Sequence, residues 1–98
     1  MKTVKLSRRY EVGSAVFDTL TFRPPKLVDY RQIGRIGEMH KDIAVTYQDA
    51  IWSYADRLLQ ETPVGALDDL DLIDALAIEE AIFDFFTDAN QHLKRLKT

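Results

Sequence analysis

Pro24 and Pro25 stand side by side at the end of a stretch that alternates apolar and polar residues. Neither can donate to a β-ladder, and each fixes its own φ, so a strand must stop there. The fixed φ of Pro25 suits the start of a helix, and "KLVDY" follows with Asp29 where a carboxylate would face the positive end of a first turn. The dipeptide therefore divides the chain into an extended part before it and a helical part after it. With Arg23 just ahead of the corner and Asp29 just behind, an ion pair across the bend is expected.

Ahead of the prolines, Val4, Leu6 and Tyr10, then Val16, Leu20 and Phe22, repeat with period two around Gly13-Ser14, which predicts a β-hairpin. All six lie at even positions, so they share a face only across a loop of odd length. A three-residue loop around Gly13 gives the register Val4/Phe22, Leu6/Leu20, Arg8/Asp18 and Tyr10/Val16, in which the two inner charges meet. Leu27 to Arg35 is predicted as a short helix, and "GRIGEMHKD" as its end and a connecting loop. The two glycines of "GRIG" match the G-x-x-G of a nucleic-acid-clamping loop, but four residues with two fixed and no flanking three-stranded sheet favour a plain loop.

Thr46 and Asp49 have capping-box spacing. Beyond them Tyr47, Ala50, Ile51, Tyr54 and Leu58 form an apolar stripe, widened by Trp52, Ala55 and Leu59, which predicts an amphipathic helix. Thr62-Pro63 reads as an N-cap and first helical residue opening a short turn through Leu67. Asp68, Asp69, Asp71 and Asp74 crowd the start of a last helix expected to reach Thr87 or Asp88, with "NQHLKRLKT" a frayed tail from about residue 89. Apolar side chains from Leu72 to Phe86 go nearly all the way round it. Such a helix is either sandwiched within the fold or offers a face to another molecule.

The 98 residues set the scale. A chain of this length has room for one core, so residues 1–98 are expected to form a single α+β domain, with a two-stranded antiparallel hairpin over 1–23 and three to four helices over 24–98. A hydrophobic share of 46% beside 30% charged residues fits a soluble domain, and no apolar run is long enough to span a bilayer. "MKTVKLSRRY" lacks the apolar core of a secretory signal and reads as mature from Met1. The absence of cysteine excludes disulfides and thiolate chemistry and suits a reducing compartment such as cytoplasm.

Charge is unevenly spread. Nine Lys/Arg oppose four Asp/Glu up to Lys41, whereas four oppose twelve from Asp42 onward. Either the basic half meets an acidic partner, or the halves attract each other within the fold or between copies. His40 and His92 lack ligand spacing, the serines sit in no nucleophile elbow, and Glu79 and Glu80 point about 100° apart on a helix. No enzyme, metal or cofactor is expected. Arg8, Arg9, Tyr10 and the other N-terminal cations could form a nucleic-acid patch, but a pI near 5.3 argues against it.

Taken in order, "VKLSRRYEVGSAVFDTLTFRPPKLVDY" and "TPVGALDDLDLIDALAIEEAIFDFF" resemble the small tail assembly chaperones of Mu-like contractile-tailed phages and prophages. Leu6, Arg8, Gly13, Leu20, Arg23, Pro25 and Asp29 fit that family's hairpin, Arg-x-Pro motif and early helix aspartate. Leu67, Leu70 and Asp71 fit its Leu-x-x-Leu-Asp, and Phe85 or Phe86 its closing aromatic. The chain departs from the pattern at Arg9, Pro24, Lys26, which replaces a capping Ser or Thr, and Glu61. The resemblance implies a non-enzymatic protein of the host cytoplasm that keeps the helical tape-measure protein soluble until the tail tube polymerises. Trp52, Ile78, Ile82, Phe85 and Phe86 are the expected partner-binding residues, and a homo-oligomer is compatible with this role. The alternative is a small nucleic-acid-binding phage or prophage regulator using the basic half.

Overall fold

The computed structural model describes residues 1–62 and 65–97. Strand β1 (Lys2–Val12) pairs antiparallel with β2 (Ala15–Phe22) through a two-residue turn in which Gly13 takes φ 61°. A positive φ at that point is natural for glycine and matches the twist of a tight hairpin. The register differs from the sequence expectation. Val4 faces Leu20 and Lys2 faces Phe22, but Tyr10 faces Phe17, so the four residues Leu6 to Arg9 lie opposite Asp18 alone.

This bulge offsets the strands by an odd number and exchanges the faces of β2 part-way along. Leu20 and Phe22 are buried, yet nearer the turn Phe17 packs on the core and Val16 is exposed. The expected Arg8/Asp18 pair is therefore absent. Arg8 reaches Asp71 instead, at 2.9 Å, and lies over the Tyr10 ring.

The prolines do end β2, and α1 (Leu27–Ile33) follows as predicted, a little shorter. The expected loop after it is a second hairpin, β3 (Gly37–His40) with β4 (Ile43–Thr46), turning at Lys41 and Asp42, both at positive φ. Thr46 thus ends a strand rather than capping a helix, and Tyr47 is the N-cap of α2 (Gln48–Leu58). As the stripe predicted, α2 buries Ile51, Tyr54 and Leu58, with Ala55 beside them.

A short β5 (Leu59–Gln60) then adds to β2, making a sheet of order β1-β2-β5 beside the separate β3-β4 pair. Pro63, part of the expected cap, lies outside the described residues. Ala66–Asp69 forms a 3-10 turn, and α3 (Leu72–Lys97) runs through the segment expected to fray. Three α-helices occur among the described residues, within the α+β class that the sequence indicated. None is long and apolar enough to cross a membrane.

One core joins the pieces: Leu6, Tyr10, Leu20 and Phe22 from the sheet, Ile51, Tyr54 and Leu58 from α2, and Ile78 and Ile82 from α3. Tyr54 meets Phe86 edge-on with ring centres 5.1 Å apart, and its hydroxyl donates to the Gly34 carbonyl at 2.8 Å. Ile78 and Ile82 are wholly enclosed, which corrects their assignment as partner-binding residues: they are core. Ile82→Ala is predicted to cost about 2–5 kcal/mol in urea unfolding followed by circular dichroism. Ile82→Asp should abolish the native spectrum altogether, because its charge would be buried without a partner.

Candidate interaction surface

Two buried carboxylates hold the helices on the hairpin. Asp29, with no exposed surface, takes Arg23 Nη1 and Nη2 at 2.8 and 2.9 Å, the backbone N–H of Lys26 at 2.8 Å, and Arg57 Nε. The expected ion pair across the prolines is present, but far more enclosed than a surface pair and shared with a second arginine from α2. The Asp29–Lys26 bond is one half of a capping box. The other half needs a side-chain acceptor, which lysine lacks. Hydrogen bonds from Arg23 and Lys26, opposed by burial and joined by Arg57, hold the Asp29 carboxyl well below the usual carboxylate range.

Asp74, in the first turn of α3, is the second anchor. It accepts the Ser7 N–H at 2.7 Å, the Ser7 hydroxyl at 2.8 Å and the Tyr10 hydroxyl. The bulge frees Ser7 for this purpose: an amide displaced from the ladder needs a partner elsewhere. Burial alone would push the Asp74 carboxyl up, but the bonds from Tyr10 and Ser7 outweigh it and the group lies below its ordinary value. Tyr10 in turn accepts the Asp71 N–H at 3.1 Å. Lys2–Asp88 and Arg8–Asp71 add pairs of 2.9 Å each, so the basic N-terminal half and the acidic C-terminal half attract each other within the fold.

Pinned in this way, α3 turns one face to the core and another outward. Leu72, Ile73, Leu76 and Phe83 are exposed on the outer face, Leu76 by 54%. Trp52 borders this strip, half-buried, its indole N–H donating to Glu79 Oε2 at 3.1 Å. The strip runs into a cleft of about 300 Å³ between α3 and the β3-β4 hairpin, lined by Ile36, Met39, Val45, Phe83, Phe86 and Asn90 among others. At its floor Gly37 leaves no room for a side chain, since a Cβ there would stand 2.7 Å from the Val45 carbonyl oxygen.

Of the residues expected to bind a partner, Trp52 borders the strip and Phe86 lines the cleft. Phe85 is half-buried under Lys2, whose ammonium lies 5.1 Å from the ring centre. The motif residues serve the architecture: Gly13 makes the turn, Pro25 ends the corner, Leu67 and Leu70 pack against the core, and Asp71 holds Arg8. Leu72, Leu76, Phe83 and Met39 belong to the surface and were not singled out. Of these, the three on α3 were visible as apolar, but nothing in the pattern told their face from the buried one.

Chemically the strip offers apolar contact and little else. Its neighbours Glu79, Glu80 and Asp84 are acidic, and His40 and His92 are exposed on separate elements. Among the described residues no three His, Cys, Asp or Glu side chains are grouped to hold a metal ion. No protein-family model, curated protein or solved structure matches the chain.

The two carboxylates make stability fall in acid. Both have lowered native pKa values, so their contribution is complete above the unfolded aspartate value of about 4 and is lost as pH drops below it toward the native values. Urea midpoints are predicted to fall between neutral pH and about pH 3. Asp29→Asn should lower the neutral-pH thermal midpoint by on the order of 10 °C and flatten the acid limb. A mutant whose midpoint falls with acid as steeply as the wild type would contradict the assignment.

Proposed function

We propose that the chain is a non-enzymatic binding module that takes an apolar-striped helix from another protein along the outer face of α3. The observation that carries this reading is the strip of Leu72, Ile73, Leu76 and Phe83 leading into the cleft beside Met39. Leu72 and Leu76 lie one turn apart and Phe83 two turns on at the mouth of a groove, with Glu79 and Glu80 between them. An amphipathic helix with apolar anchors and a basic residue among them would fill such a surface. The acidic neighbours Glu79, Glu80 and Asp84 favour a client with basic residues flanking its apolar stripe.

The resemblance to phage tail assembly chaperones supplies the class of client: a tape-measure protein, very long and helical, kept soluble in the host bacterial cytoplasm until tail-tube subunits surround it. A naked apolar-striped helix of that length aggregates, and a small acidic domain that covers it transiently prevents this. Weak single contacts allow release, while many copies along one client supply avidity. The nucleic-acid alternative is less well supported, because Lys2, Arg8 and Arg23 are engaged with Asp88, Asp71 and Asp29.

Leu72→Asp combined with Leu76→Asp tests the reading by co-purification of a co-expressed tape-measure-like helical protein. Capture should be lost while the thermal midpoint stays within a few degrees, because these side chains are exposed. Retained capture by the folded double variant would refute the proposed surface.

A further inference from the structure

The last part of α3 carries a different apolar face from the strip just described. Lys2, bonded to Asp88 and lying over Phe85, marks the end of the helix's contact with β1, and every residue from 89 to 97 is exposed. Yet the pattern that buries the earlier turns does not stop. Ile82, Phe86, Ala89, Leu93 and Leu96 are spaced by four, three, four and three residues, the repeat by which two helices pack side by side. Ile82 is fully enclosed and Phe86 half-buried, while Leu93 and Leu96 are 49% and 72% exposed. The seam thus runs off the body of the protein onto bare helix.

Charge along the same helix selects the occupant. Glu80, Asp84 and Asp88 lie in its middle, and Lys94, Arg95 and Lys97 in its last turns. Two copies side by side in the same direction would set basic ends together. Set head to tail, each basic end lies along the other's acidic middle, and the helix dipoles also oppose favourably.

We propose that the chain forms a two-fold dimer through an antiparallel pairing of the C-terminal turns of α3, with Leu93 of one copy against Ala89 of the other and Leu96 against Phe86. Such a contact is self-complementary, so both seams close at once. It leaves Leu72 and Leu76 of each copy free on another side of the helix, while Phe86, at the far end of the cleft, is shared with Leu96 of the other copy. The dimer does not depend on the proposed function, and its test uses no client.

Sedimentation equilibrium of the full chain should show a dimer. Leu93→Asp with Leu96→Asp should weaken association by on the order of 100-fold or more and leave the circular dichroism spectrum native, since both side chains are exposed within one chain. Lys94→Glu with Lys97→Glu should also weaken it, because two acidic side chains would then lie along an acidic middle. A monomer at high micromolar concentration, or a dimer indifferent to Leu93→Asp with Leu96→Asp, would overturn the proposal. Tighter association of the lysine variant would overturn the antiparallel arrangement.

Discussion

The carboxylate of Asp29 fixes the angle at which everything after the hairpin leaves it. Removed from water, it requires charged donors in good geometry, and Arg23 and Arg57 supply them from the end of β2 and the last turn of α2. Replacing such a cluster with apolar side chains can be neutral for stability, whereas removing one member is costly, so its main effect is on specificity of arrangement. The Asp29 carboxylate thus ties the end of β2, the start of α1 and the last turn of α2 to one another. The Arg23 N–H bond to the Leu58 carbonyl, at 3.0 Å, and the short pairing of β5 with β2 follow from that meeting.

Asp74 does for α3 what Asp29 does for α2. Because the β1 bulge turns Ser7 toward it, the long helix is anchored by its first turn against the hairpin. At about 1.5 Å per residue its 26 residues exceed the protein's shorter dimensions of 27 and 24 Å. A body of this size covers one face of the middle turns and no more. The outer strip and the terminal seam are therefore consequences of length and anchoring together, and both proposed contacts use surface that the described residues leave exposed.

Much of this is legible in the sequence. The corner at Pro24-Pro25, the Arg23–Asp29 pair and the buried stripe of α2 follow from local chemistry, which the tertiary structure respects. Arg57 was not legible as a partner of Asp29, because a polar-face arginine 28 residues away carries no local signal. The hairpin register failed where an odd offset, invisible to alternation, exchanged the faces of β2. The β3-β4 hairpin was hidden because its strands are four residues each and its turn is Lys-Asp, not a glycine-containing pair. In α3 an apolar pattern on all sides does not say which face the core takes, so the pattern alone does not separate the enclosed Ile78 and Ile82 from the exposed Leu72 and Leu76. Its last turns, rich in basic residues, read as a tail although Ala89, Leu93 and Leu96 continued the seam.

The central claim is that α3 presents apolar surface that a single copy leaves bare. Amide hydrogen exchange read along this helix at high dilution tests it most directly. The account predicts slow exchange from Asp74 to Phe86, fast exchange from Ala89 to Lys97, and slowing of the latter segment as protein concentration rises. Uniformly slow exchange through Lys97 in a dilute monomer, unchanged by concentration, would contradict it.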